Sequence, residues 1–404
     1  MRNIIRSIVV LAIVSFVIPS SAFAWDESGH KTTAYIAWQR MTPEVREKVH
    51  KILMAAPEDS SIGMYFFNFG SRPLETKRRE HFMLMAYWAD IIRDRAFDNR
   101  FKKYHNSDWH YTNMFWTEKD GKAEAVDGME PAGKALAKIG EFSNVIRSNA
   151  PDAEKAVAIA WLEHLIGDVH QPLHISALVS EYNPKGDQGG NLFFLTPKGT
   201  PREQQDNLHS LWDQILVRYQ PNTDAKCDAE YLDPKGEEIM KRFPYEKLAS
   251  QANNLSIDAW ANESLKAAQD VAFKGLKFGE KPDSKYMKHA FELAQERIAL
   301  AGYRMGNLFN EVFGTRPDGV SEIKIPCKII RKVMYPVTHT ASVKQTLEIS
   351  LLDMCPNDPA ARPMYSFMID GKMVMKEYDV VRTFKTEAEA RKFAADNKIT
   401  DVSF

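Results

Sequence analysis

The chain is 404 residues long, 44% hydrophobic and 26% charged, with a formal net charge of −1. That length points to two or three domains with a core of normal size, and the apolar content excludes wholesale disorder. Near-neutral charge argues against a groove-reading DNA-binding protein that relies on Lys and Arg, and three cysteines exclude a disulfide-rich scaffold or a CxxC motif.

Residues 1–24 carry the marks of an export signal. Arg2 and Arg6 supply a positive start, residues 8–18 are an apolar run too short to span a bilayer comfortably, and Ala22-Phe23-Ala24 fits a small-x-small cleavage site. Cleavage there leaves Trp25 as the N-terminus and no stable membrane anchor, in a periplasmic or secreted protein; an uncleaved anchor is the alternative.

From Trp25 to Phe313 the pattern is mainly helical. Thr42 reads as an N-cap before Pro43, with Val45, Val49, Ile52 and Leu53 as the apolar stripe. The same reasoning predicts helices over 131–147, 152–167, 208–219, 255–274 and 286–313. Residues 314–319 are turn-rich and read as a linker. Beyond them the period changes to that of strands, over 320–330 and 345–352, with 365–369 and 372–378 flanking an Asp370-Gly371 hairpin turn. Thr386-Glu387-Ala388-Glu389 is a capping box that opens a short helix to about residue 396. Residues 320–404 therefore read as a small α+β domain behind a mainly α domain over 25–313.

Chemistry concentrates in the helical part. His164 and Asp168, and again His209 and Asp213, stand four apart, which on a helix puts both side chains on one face within reach of one metal. His174 follows Pro172, a helix breaker. Asp90 and His110 lie in two Trp-rich segments, and His30 falls five residues after Trp25. Taken alone, such a His-x-x-x-Asp pair is more often a surface pair or a core histidine with its hydrogen bonds met. His50, His81, His105, His170, His289 and His339 read as structural.

Six segments change that weighing: Trp25-Asp26-Glu27-Ser28-Gly29-His30, Trp88-Ala89-Asp90-Ile91-Ile92-Arg93, Trp109-His110-Tyr111, the run His164 to His174, Gly186-Asp187-Gln188-Gly189-Gly190-Asn191, and Asn207-Leu208-His209-Ser210-Leu211-Trp212-Asp213. In this order and spacing they resemble the S1/P1 nuclease family over about residues 25–313. The resemblance implies a phospholipase C/P1 nuclease-like helical fold with a trinuclear zinc cleft. Asp90, His110, His164 and Asp168 would hold one zinc. Asp168 would bridge to a second, completed by His30 and by the α-amino nitrogen and carbonyl of Trp25. His174, His209 and Asp213 would hold the third. Imidazole and carboxylate are ligands zinc accepts.

The implied reaction is hydrolysis of single-stranded DNA and RNA to 5′-phosphorylated products by attack of an activated water on phosphorus, with 3′-nucleotidase activity as a possible companion. The same resemblance assigns Arg93 to the phosphoryl charge, with Asp168 as its partner in catalysis, Asn191 to a phosphate contact, and Tyr111 to stacking on a base. Two residues on, better-known relatives carry an Asp that bonds the base, whereas Asn113 offers both donor and acceptor. The catalytic part contains only Cys227, expected reduced and buried, while Cys327 and Cys355 are able to pair in the C-terminal domain. Stability then leans on the core and on zinc, each structural ion contributing ~10–16 kcal/mol in apparent terms. The C-terminal methionines Met364, Met368, Met373 and Met375 either pack a core or face a partner. Two rival readings stand beside the nuclease: a zinc-dependent phospholipase C, and a non-catalytic zinc-binding or adhesion protein.

Overall fold

The computed structural model describes residues 25–314, apart from Phe69 and Ala225, and the backbone of four strands beyond them. The export segment, most of the 314–319 linker, the Asp370-Gly371 turn, the 386–396 helix and Cys355 lie outside the described residues.

Helices come first: α1 Glu27–Arg40, α2 Pro43–Met54, α3 Leu74–Met85, α4 Trp88–Ile91 and α5 Asp98–Tyr104. A small sheet interrupts them, built of β1 Thr112–Lys119, β2 Lys122–Ala125 and β3 Ala132–Gly133. After α6 Ala135–Arg147 and α7 Asp152–His170, the short strand β4 Ser176–Leu178 returns to that sheet. Six helices complete the unit: α8 Leu208–Asp213, α9 Ile215–Tyr219, α10 Asp228–Arg242, α11 Tyr245–Ala252, α12 Ile257–Ala267 and α13 Ser284–Phe313. The chain divides into two compact units, Met1–Gly314 and Thr315–Phe404. In the second, β5 Glu322–Cys327 pairs antiparallel with β8 Tyr378–Thr383, and β6 Lys332–Thr338 with β7 Lys344–Ser350.

The mainly helical architecture expected from the sequence is the one observed. Thr42 caps α2 by accepting from the Val45 N–H at 3.3 Å, and Pro43 follows with its fixed φ. Helix α7 forms the centre, touching α1, α2, α6, α12 and α13. From Ala158 to His170 every one of its residues is buried, so it is covered on all sides. Trp161 of this helix is fully buried, as are Trp25, Trp38, Trp88, Trp212 and Trp260 elsewhere in the unit. At 25 cal/mol per Å² each contributes roughly 4–6 kcal/mol before entropy is subtracted.

Several boundaries differ from expectation, each for a local reason. The helix expected from residue 131 begins at Ala135, because Ala132 and Gly133 pair with Asn113 and Thr112 of β1, and Gly133 takes φ +96°. Helix α7 runs on to His170 and stops there, since Pro172 drives Gln171 to an extended φ −78°, ψ 118°. The helix expected over 208–219 breaks at Gln214 into α8 and α9. The one over 255–274 starts at Ile257 and passes into a π turn at Ala268–Ala272. Cys227 is exposed, not buried, because it sits at the cap position ahead of α10. Among the described residues, no helix is long and apolar enough to cross a membrane.

The sheet matters for position. Strand β1 pairs antiparallel with β2 and β3 and parallel with β4, setting Met114 opposite Ser176. This pairing ties the chain just after His110 to the chain just after His174.

Candidate metal centre

Helix α7 carries His164 and Asp168 one turn apart, with Nε2 and Oδ2 separated by 3.3 Å. The His164 Nδ1 lies 2.8 Å from the Ala86 carbonyl. A carbonyl only accepts, so Nδ1 bears the proton and Nε2 turns a lone pair inward. The same logic fixes His174, whose Nδ1 donates to the His110 carbonyl at 2.6 Å, and His209, whose Nδ1 donates to the Gly189 carbonyl at 2.6 Å.

His30 enters from the first turn of α1, a helix capped by Asp26, which accepts from the Gly29 N–H at 3.0 Å. Its ring stacks on His164 with centroids 4.0 Å apart, and its Nε2 is 3.3 Å from Asp168 Oδ1. This approach needs Gly167, where a Cβ would lie 2.8 Å from the His30 Nδ1. His110 brings Nδ1 to 2.9 Å from His164 Nε2 and 3.3 Å from Asp168 Oδ2. Asp90, on α4, lies 3.9 Å from His164 Nε2 through Oδ1.

Three buried groups result: His30, His164 and Asp168; Asp90, His110 and His164; and His174, His209 and Asp213, each with ligand atoms within 4.8 Å of one another. The residues fit zinc. Both Asp168 oxygens, both His30 nitrogens and the His174 Nε2 are buried without a hydrogen bond, a costly state that a cation relieves. Burial holds His30 and His110 neutral, pushing His30 down to about 4 and His110 to about 3, so their lone pairs are available at neutral pH. At His164 burial is outweighed by the carboxylates of Asp168 and Asp90, which raise it. Burial also acts to raise Asp168, yet the surrounding imidazoles, His164 and His174 foremost, keep it well below the usual carboxylate range. Asp213 has less compensation, and burial raises it well above that range despite His209 and Gln171. Buried carboxylates that stay ionised, Asp168 above all, call for positive charge.

The other residues singled out from sequence lie as follows. Trp25 is fully buried, and the Asp26 N–H donates to the Asp213 carbonyl at 2.9 Å, tying the start of α1 to α8. Arg93 sets Nε 3.0 Å from Asp90 Oδ1. Tyr111 is half-buried with its ring against Gly133, where a Cβ would stand 2.6 Å from the ring. Asn113 is 9% exposed, in β1 opposite Ala132. The Asn191 side chain donates to the Gln188 carbonyl at 2.9 Å, within the Gly186–Asn191 loop.

His170 stays outside the clusters. Its Nδ1 donates to Ile166 at 2.7 Å, and its Nε2 accepts from Arg304 Nη1 at 2.8 Å. Sequence reasoning overlooked Gln171 and Asp187. Gln171 donates through Nε2 to Asp213 Oδ1 at 2.7 Å, and Asp187 accepts from the Leu178 N–H at 2.9 Å while its loop presents the Gly189 carbonyl to His209. The usable signal was Gln171 itself, a polar residue between a buried helix end and a proline.

A sequence profile described as S1/P1 Nuclease matches residues 25–314. Endonuclease 1 of Arabidopsis thaliana is 25% identical over 326 residues, 77% of this chain and 94% of the relative. Nuclease S1 of Aspergillus oryzae is 25% identical over 70% of this chain and 90% of its own length. Nuclease P1 of Penicillium citrinum is 24% identical over 72% of this chain and 98% of its own length.

Proposed function

The chain belongs to the S1/P1 nuclease family, and from that premise we propose that it is an exported zinc-dependent nuclease holding three zinc ions and cutting single-stranded DNA and RNA to 5′-phosphorylated products. The observation that carries this reading is the trio of buried His/Asp groups, within which both Asp168 oxygens, both His30 nitrogens and the His174 Nε2 are left without a hydrogen bond.

Asp90, His110, His164 and Asp168 would hold one ion, His30, Asp168 and Trp25 a second, and His174, His209 and Asp213 a third. When bound, zinc supplies Lewis-acid polarisation of the phosphoryl oxygens and acidifies water towards neutrality. The chain does the positioning. Arg93 neutralises charge on the phosphoryl oxygens, a role supported by its place beside the ligand Asp90. Asn191 adds a phosphate contact from the Gly-rich loop. Tyr111 stacks on a base, and the close packing of one edge of its ring on Gly133, where a Cβ would clash, supports this by limiting how the ring turns. Stacking accepts any base and favours strands whose bases are unpaired. Asn113, two residues on, offers donor and acceptor to the base edge.

Export completes the second site. Before cleavage the Trp25 nitrogen is an amide with no usable lone pair; after cleavage it is an amine. We assign the catalysis to residues 25–313 and leave 320–404, behind the 314–319 linker, as a separate small domain serving a partner, the substrate or the catalytic unit.

The test uses processed chain beginning at Trp25, loaded with zinc, and incubated with single-stranded DNA and RNA with and without chelator. Chelator-sensitive release of 5′-mononucleotides is expected, together with a lower melting temperature in chelator. Fully metallated protein that leaves both nucleic acids intact would overturn the nuclease reading, and turnover of phosphatidylcholine in its place would mark a phospholipase C.

A further inference from the structure

Gln171 is fully buried and stands at the end of α7, between the ligand candidates Asp168 and His174. Its amide is oriented by chemistry. The Leu173 N–H is 2.6 Å from Oε1 and is able only to donate, so the oxygen must face it. The NH₂ group is left facing Asp213, with Nε2 2.7 Å from Oδ1. The backbone carbonyl of Gln171 also accepts from the His174 N–H at 3.1 Å.

One residue thus holds two of the three ligands of the third cluster. Through Oε1 and its carbonyl it closes the tight turn that carries His174. Through Nε2 it occupies one oxygen of Asp213, and the other, Oδ2, lies 3.4 Å from Nε2 of His209. A carboxylate left without this donor would be free to rotate about its terminal bond and would have a buried oxygen without a hydrogen bond.

We propose that Gln171 is a positioning residue for the His174–His209–Asp213 zinc site, selecting which Asp213 oxygen faces the ion and keeping His174 in register. The proposal rests on the zinc reading given above. A residue that merely caps the helix end would affect stability alone. A positioning residue would affect one ion of three.

The variant Gln171→Glu separates the two roles. It keeps the shape and the acceptor for Leu173 but replaces the donor with an oxygen that repels Asp213. Gln171→Met, neutral and of similar length, guards against misfolding caused by the added charge. The full processed chain of each would be titrated with zinc against a chromophoric competitor, with cobalt(II) spectra to identify the emptied site. Expected is a loss of about 10- to 100-fold in affinity for one ion, with the other two bound as in wild type and cleavage restored by excess zinc. Three ions bound at wild-type affinity by both variants would overturn the role of Gln171. Equal weakening of all three ions would do so as well. Wild-type chain that takes up no third ion would overturn the three-zinc reading itself, and this inference with it.

Discussion

The two ends of the metal centre are built differently. At one end His30, His164 and Asp168 come from α1 and α7, long helices locked into the core, and the ligand side chains meet each other directly, with His–Asp separations of 3.3 Å. At the other end His174, His209 and Asp213 stand on a three-residue turn, Pro172–His174, and on the six-residue α8. Elements that short have no stability of their own. Each ligand there is steadied from outside its cluster, by the His110 carbonyl, the Gly189 carbonyl and the Gln171 amide. Long helices place ligands chiefly by packing, with the His164 Nδ1 bond to the Ala86 carbonyl as the outside support there, whereas short elements rely on such bonds throughout. The first end is therefore expected to resist loss of a single polar neighbour better than the second.

The largest effect should come from Asp168, which faces His30 through one oxygen and His110 and His164 through the other. Asp168→Asn is expected to empty two zinc sites and to lower kcat/KM on single-stranded DNA by roughly a thousandfold or more. Asp213→Asn should empty one. Metal analysis beside the cleavage assay reads both. If Asp213→Asn emptied all three sites, the two ends would be one cooperative unit and the contrast would fail.

Behind the centre a buried network holds the end of α7. Arg304, fully buried, donates to both Glu263 oxygens at 2.8 Å and to His170 Nε2 at 2.8 Å. Arg297 reaches the His170 carbonyl at 3.2 Å and Ser264 at 2.6 Å, and Ser264 in turn donates to the Val169 carbonyl. Cations here also suit the negative end of the helix dipole. Arg304→Met strands the His170 lone pair and leaves Glu263 with Arg297 Nη1 at 3.2 Å as its remaining partner, so a loss of about 1–3 kcal/mol in urea unfolding is expected. Because α7 serves the packed end, the cost should fall on the whole unit, with zinc stoichiometry unchanged in the folded fraction. Selective loss of one ion would show that α7 is steadied locally, as the short elements are.

What was legible in the sequence follows the same division. Spacing alone put His164 with Asp168 and His209 with Asp213, because a helix fixes the distance between residues four apart. Spacing said nothing of His30 meeting His164, or of β1 running from His110 beside β4, since those contacts depend on tertiary packing. The sheet went unpredicted because Thr112–Lys119 is too mixed in polarity to show a clean alternation, and Ala132–Gly133 is too short to show any. The break at Gln214 was hidden because no glycine or proline marks it. Gln171 was missed for a different reason: a residue that acts through a ligand has no spacing rule of its own. Its role appears only once Asp213, 42 positions away, is seen 2.7 Å from its amide.

The smallest effect tests the contrast most finely. Asn207 caps α8, accepting from the Ser210 N–H at 2.8 Å, and Thr42 caps α2, accepting from the Val45 N–H at 3.3 Å. Either residue changed to Ala should lose about 1 kcal/mol at its own helix. The consequences should diverge. Helix α2 has 12 residues, with an apolar face packed on α7, so Thr42→Ala lowers global stability by that amount and leaves zinc binding alone. Helix α8 has six residues and carries His209 and Asp213, two of the proposed ligands, so in Asn207→Ala the loss is expected to fall on the site, as about a fivefold weaker third ion, 1.4 kcal/mol being a factor of ten. Zinc titration and urea unfolding of both variants decide the matter. If the two caps trade their effects, or if both act only on global stability, hydrogen bonds on short elements do not set that end of the centre.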